Sequence, residues 1–387
     1  MNRFQVQSLY RNDSASFHPS GERPFMRRLI PSLFSLALFG ATSMVAQAQT
    51  TPELVIEDND FLGPGGSDVQ SILPFLNNPH IRLLGLTVAA GDDWENAESA
   101  HIRRFLEISR HRDIPVYDGA TQPLVNTVEL MRLREVQFGT IPWKGAWGGL
   151  GSIDKTPDTQ PALGKLPEGT PTLKAGDLPA AMFLIQQVHA HPHQVTIVEA
   201  GPMTNLALAI RLDPSFAATA KQLVFMGAYI DLNLMSVTGN ADNGSDFNMI
   251  FDPEAAHITL TAAWPRITSI ANVSNDIMMS HDDMAKLTNA RHTPVTDYML
   301  KYYAPLPMWD EVASAVAADP SLITRSVDAY MDVETGKGIS YGHAYVWPEA
   351  LAPKRMGVRQ VRIVQSVDTA RFMKQFAQAA QNAMGTH

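Results

Sequence analysis

Residues Leu54–Leu73 read LVIEDNDFLGPGGSDVQSIL. A short β-branched apolar run, Leu54–Ile56, leads straight into Glu57, Asp58 and Asp60. A glycine-rich turn follows, then Asp68, then apolar residues again. Carboxylates this close repel one another, and glycines have more backbone entropy to lose on folding than other residues. A hard cation would offset the repulsion, because Asp side chains and backbone carbonyls are the oxygen donors that calcium and magnesium take. A solvated acidic loop is the plainer reading of the same residues. Position favours a site: in open parallel sheets, ligands bind beyond the carboxyl ends of the strands.

Outward from this stretch, strand-like and helix-like segments alternate. Leu54–Ile56, Ile81–Ala89, Val116–Tyr117, Val195–Glu199, Gln222–Met226 and Arg266–Ile270 are short apolar runs. Helical patterns at Asn96–Arg110 and Ala180–Ala190 lie between them, and AGPMTNLALAI reads as a strand end, a turn and a helix start with Pro202 near its first turn. The alternation predicts an α/β fold, a mainly parallel open sheet with helices on both faces. No Pro/Gly/Ser-rich linker divides the chain after residue 48, so residues 49–387 are expected to form a single domain. Ile141–Pro179, rich in Gly, Pro and Thr, reads as a long excursion of the kind that forms lids or substrate loops.

The first 48 residues differ from the rest. MRRLIPSLFSLALFGATSMVAQAQ, from Met26, has a basic start, an apolar run from Leu29 to Ala41 and a small-x-small site ending at Ala48. That is the pattern of a secretory leader, with residues 1–25 as an upstream extension. The run is short and broken by Pro31, Ser32 and Ser35, which disfavours a membrane anchor. The expectation is export to a periplasm or the medium, without stable membrane insertion. Losing residues 1–48 removes five basic and two acidic residues and moves the net charge from −9 to −12. A balance that acidic, with no basic stripe, disfavours nucleic acid as a partner. Cysteine is absent, which excludes thiol chemistry and Cys-ligated zinc.

At this point a resemblance becomes specific. The acidic stretch is similar to the D-x-D-P-G-x-D-D motif of the inosine-uridine type nucleoside hydrolases. The likeness continues in family order through GLTVAAGDDWENAESAHIRRFLEISRHRDIPVYDGATQPL, VTIVEAGPMTNLALAI, LVFMGAY, GNADNGSDFNMIFDPEAA, WDEVASAVAADPSLI and DVETGKGISYG, roughly residues 54 to 370. It implies a Rossmann-like core and calcium-dependent hydrolysis of the N-glycosidic bond of nucleosides. By the same resemblance Asp60 binds calcium and takes a proton from the attacking water. Asp68 and Asp310 are further carboxylate ligands, and Thr204 offers its backbone carbonyl. Asn240, Asp246 and Asn248 complete the sugar pocket, although the family usually has Glu where Asp246 stands. The family commonly assembles as dimers or tetramers, so a homo-oligomer is expected.

Three departures from the family pattern matter. Its consecutive acids read Ser67-Asp68 here, in a lengthened turn, so a neutral hydroxyl stands where an acid would contact ribose. Where the family often has Asn, this chain has Asp92 followed by Asp93, and either is placed to face the sugar or the metal. Trp309 precedes Asp310 where pyrimidine-accepting members commonly have a histidine acid. An indole cannot donate a proton at neutral pH but stacks on a flat heterocycle. The resemblance is then to purine-preferring members, with a second stacking indole from Trp143 or Trp147, between which the sequence does not choose. The rivals are an exported calcium-dependent protein that captures a nucleoside or sugar without cleaving it, and a hydrolase of another ribosyl compound. Three histidines in HAHPH, His189, His191 and His193, read as a solvated loop rather than a metal tract.

Overall fold

The computed structural model describes residues 51–228 and 246–386, which fall within one compact unit, Thr50–His387. The expected leader, within residues 1–48, and Asn240 lie outside the described residues. The strands are β1 (Glu53–Asn59), β2 (Ile81–Val88), β3 (Val116–Asp118), β4 (Val195–Glu199), β5 (Gln222–Phe225), β6 (Ile267–Ser269), β7 (Ile323–Val333), β8 (Ala344–Trp347) and β9 (Arg359–Val367). They form one sheet in the order β3-β2-β1-β4-β5-β6-β9-β7-β8. Pairing is parallel from β3 through β9. Only β7 runs against its neighbours β9 and β8.

Both faces of the parallel part are covered, which is why its strands read as continuous apolar runs. On one face Val55, Val198 and Val224 pack with Ile102, Phe105, Val312 and Phe372 from helices. On the other, Ile56, Ile197 and Leu223 pack with Leu184, Leu206 and Leu260. The helices that supply these residues are Glu95–Ile108, Ala180–Ala190, Thr204–Leu212, Pro253–Thr261, Trp309–Ala318 and Thr369–Gln381.

The sheet order places a switch between β1 and β4. From β1 the chain winds outward to β2 and β3, and from β4 it winds the other way to β5 and β6. Loops leaving β1 and β4 therefore diverge and open a crevice at the carboxyl edge, where doubly wound folds bind ligands. The acids of the opening stretch lie at that crevice. β1 runs three residues further than Ile56, to Asn59, so Glu57 and Asp58 are in the strand itself, buried on opposite faces of the sheet. The excursion Ile141–Pro179 is irregular apart from short 3₁₀ turns at Gly145–Trp147 and Ile153–Lys155. It is fastened rather than free: Ala146 N–H donates to the Gly91 carbonyl (2.9 Å) and Gly176 N–H to that of Val116 (2.7 Å).

Candidate active site

Asp60 follows β1 and is 2% exposed. Its Oδ2 accepts the Asp92 backbone N–H at 2.8 Å. Two glycines close on it: a Cβ on Gly91 would stand 2.0 Å from Oδ2, and one on Gly201 2.8 Å from Oδ1. Gly91 follows β2 and Gly201 follows β4, so the loops from the two strands that flank β1 grip the carboxylate between them. Neither position leaves room for a side chain.

Asp68 lies in the first turn of the short helix Gly66–Gln70, and Asp310 in the first turn of Trp309–Ala318, where the helix dipole favours an anion. The two carboxyls face each other closely enough to share a hydrogen bond. Asn59, the last residue of β1, ties the group together. Its Nδ2 lies 3.3 Å from Asp310 Oδ2 and 3.5 Å from the Asp68 carbonyl, and its Oδ1 accepts the Asp60 N–H at 2.8 Å. Sequence reasoning missed Asn59. The signal was its place between two acids at a strand end, on the face of β1 opposite to Asp60.

Burial pushes the acidity of the whole group down. Asp60 titrates well above the usual carboxylate range through burial and then the charges of Asp92 and Asp310. Asp68 is raised by burial and by Asp310 and Asp92. Burial lifts Asp92 to about 7, against the hydrogen bond from Trp143, and Asp310 to about 6, against those from Asp68 and Asn59. Beneath them Glu57 is pushed up to about 8 and Asp58 to about 6, again chiefly by burial. Glu98 and Glu199 are raised likewise. Asp58 Oδ1 accepts from Asn205 Nδ2 at 2.8 Å, while Glu57 Oε2, Asp58 Oδ2, Glu98 Oε2 and Glu199 Oε2 are buried without a protein donor. Among the described residues no Lys, Arg or His forms a salt bridge with any of these acids. An uncompensated, all-oxygen group of this kind suits a hard divalent cation. No three of the side chains are drawn into a finished coordination cage among the described residues. The residues fit a cation by chemistry and by place, not by a preformed shell.

The remaining expected residues divide. Ser67 is fully engaged inside the protein: its Oγ donates to Glu311 (2.6 Å) and accepts the Asp310 N–H (2.9 Å). It helps hold Asp310, and burial raises Glu311 to about 8. Thr204 begins its helix just beyond Gly201, with its hydroxyl on Asp252 Oδ2 (2.8 Å). Asp246 caps the helix Phe247–Phe251, taking the Met249 N–H at 3.0 Å and that of Ala228. Asn248 Nδ2 donates to the Ala200 carbonyl at 2.8 Å, which brings it to the end of β4 beside Gly201.

The tryptophans separate cleanly. Trp147 is fully buried against Phe251, ring centroids 4.5 Å apart, and belongs to a small core cluster with Trp94, Met131 and Ile141. Trp143 is partly exposed, and its Nε1 donates to Asp92 Oδ1 at 2.5 Å. Trp309 is partly exposed too, with its Nε1 on Asn275 Oδ1 at 2.8 Å. His189 and His193 are exposed around the end of the Ala180–Ala190 helix, and His189 pairs with Asp213 at 2.6 Å.

Buried acids at the switch of a doubly wound sheet, flanked by two partly exposed indoles, define a small-molecule site with acid–base capacity. The model of the inosine-uridine preferring nucleoside hydrolase family matches residues 55–374, and the chain belongs to that family of hydrolases acting on N-glycosyl compounds. An uncharacterized protein of Schizosaccharomyces pombe is 30% identical over 362 residues, 88% of either chain. Uridine nucleosidase 1 of Arabidopsis thaliana is 29% identical over 304 residues, 75% of this chain and 81% of that one. A solved purine-preferring ribonucleoside hydrolase from Gardnerella vaginalis has the same fold, with a TM-score of 0.66 at 20% identity over 86% of this chain and 99% of that one.

Proposed function

We propose that the protein hydrolyses ribonucleosides, purine ones by preference, with calcium held by Asp60, Asp68, Asp310 and the Thr204 carbonyl. The observation that supports this most is the meeting of acids from residues 60, 68, 92 and 310 without a compensating protein cation. When bound, the cation would supply the missing positive charge and raise the acidity of a water.

The chain's own groups then have distinct tasks. Asp60, fixed by the Asp92 N–H and two glycines, is the general base for the attacking water. The electron pair of the broken C1′–N bond leaves with the base, which takes its proton from solvent. Positive charge on the ribosyl ring is stabilised by the surrounding carboxylates. Asp92 and Asn248, with Asp246 and Asn240, are assigned to the sugar. The exposed faces of Trp309 and Trp143 are assigned to the base, and a purine offers them more surface than a pyrimidine. Trp147 is left to the core. The name of the Gardnerella vaginalis hydrolase agrees with that preference and that of the Arabidopsis thaliana relative points to uridine, so the base panel is the test. The proposal includes export of a chain shortened at Ala48 and assembly as a dimer or tetramer.

Incubation of the purified protein with inosine, guanosine, adenosine, uridine and cytidine, with free base separated by chromatography, tests the reading. Release from the purine nucleosides that stops with chelator and returns with calcium supports it. Faster release from uridine overturns the base preference. Calcium-dependent binding without release favours a capture protein instead.

A further inference from the structure

We propose that Asn275 is a specificity-determining residue that donates a hydrogen bond to the departing base. The inference rests on the ribonucleoside hydrolase reading above and extends it to a residue outside the acid cluster. Asn275 lies in the 3₁₀ turn Ala271–Asp276 that follows β6, on the same carboxyl edge as the acids. Its Oδ1 accepts the indole N–H of Trp309 at 2.8 Å, and Trp309 directly precedes Asp310. Its amide is therefore fixed in orientation, because exchanging oxygen and nitrogen would set two donors against each other.

That orientation leaves Nδ2 directed away from the indole N–H. Asn275 is 1% exposed and Nδ2 has no hydrogen-bond partner among the described residues. A buried amide donor without an acceptor carries an uncompensated desolvation cost, so such groups are rare unless a ligand completes them. Burial to this degree does not separate Asn275 from the site, since Asp60 and Asp310 are each 2% exposed. A base on the Trp309 ring brings acceptor atoms, ring nitrogens or a carbonyl oxygen, to the neighbourhood of this donor. As the glycosidic bond opens, its electron pair moves onto the heterocycle, and a hydrogen bond to one of those acceptors strengthens with the growing negative charge. Asn275 gives up no proton; water's proton goes to Asp60 and the base is protonated by solvent. The residue thus compensates for an indole standing where a proton donor would otherwise be.

Two variants and two substrates test this. Asn275→Asp keeps an acceptor for Trp309 and removes the donor, while Asn275→Leu removes both. Each is assayed on inosine and on p-nitrophenyl β-ribofuranoside, whose phenolate leaves without a ring nitrogen to receive the bond. The expected result is a fall in kcat/KM for inosine of about 10–100-fold, with the nitrophenyl riboside within about threefold of wild type. Equal losses on both substrates, or unchanged inosine cleavage, overturn the assignment. Should either variant fail to fold by its melting curve, Asn275→Ala, which has no side-chain donor, takes its place under the same criteria. Wild type that releases no base from any nucleoside would instead overturn the ribonucleoside hydrolase reading itself.

Discussion

Asp60 is positioned by backbone rather than by partner side chains, and that makes its neighbours as informative as the acid. Asp60→Asn preserves shape while abolishing the base. Turnover of inosine should fall by at least ~10²-fold. In chelator, the melting temperature should hold or rise, since one of several repelling charges is gone. Turnover like wild type would remove Asp60 from the mechanism. Gly91→Ala probes the grip itself. Its Cβ would stand 2.0 Å from Oδ2, so the carboxylate must move, and displacements near 1 Å can cost about 10²-fold. Gly164→Ala, where nothing lies within 4 Å, is the matched control and should leave kinetics unchanged. If the Gly91 variant matches that control in kcat, the position of Asp60 is not set by the glycine loop.

Among the elements, six of the seven strands joined by parallel pairing were legible because burial on both faces leaves unbroken apolar runs. The edge was not. β7, ITRSVDAYMDV, mixes exposed Thr324, Arg325 and Asp328 with few buried positions, and β9 alternates Arg359, Gln360 and Arg362 with apolar residues. A half-solvated antiparallel edge carries only a weak period of two. The site was legible where chemistry sits in the side chain, as with Asp60 and Asp310. It was not legible where a role depends on what lies opposite, as with Asn59, Asn275 and the choice between Trp143 and Trp147. The excursion shows the same limit, because its fastening is tertiary. Glu107, on the helix Glu95–Ile108, accepts the Thr172 N–H (2.8 Å), the Leu173 N–H (2.7 Å) and Arg104 Nη1 (2.9 Å). Burial raises its pKa, but the bonds from Thr172, Leu173 and Arg104 outweigh that and hold it at about 2. A depressed folded-state value stabilises the protein above the ordinary carboxylate pKa and is lost as pH falls through it. The contribution should therefore be complete above about pH 4.5 and decline toward pH 2. Glu107→Gln should lower the melting temperature at pH 7 and shrink that difference at pH 3. A pH-independent difference would show that the charge is not what fastens the excursion.

At the scale of the whole molecule, the acid cluster makes folding and ligand binding one equilibrium. Carboxylates from β1, from the loop after β2 and from the helix Trp309–Ala318 approach one another only in the folded chain, so their repulsion opposes folding and a cation that relieves it binds the native state alone. Linkage then fixes the sign for the proposed calcium site: binding should stabilise, by about 2.7 kcal/mol at a hundred times its dissociation constant. In a chain of this size that amounts to a few degrees in melting temperature, upward with calcium and downward with chelator. Asp310→Asn should weaken the response, because it removes a donor oxygen's charge while leaving the Asn59 contact possible. Thermal melts of both proteins across a calcium titration measure this without reference to any substrate. A wild-type midpoint indifferent to calcium and chelator would mean that the acids share protons instead of a cation. The raised pKa values of Glu57 and Asp92 would then describe the working state of the site, and catalysis would have to draw on a neutral carboxyl where a charged one is now assigned.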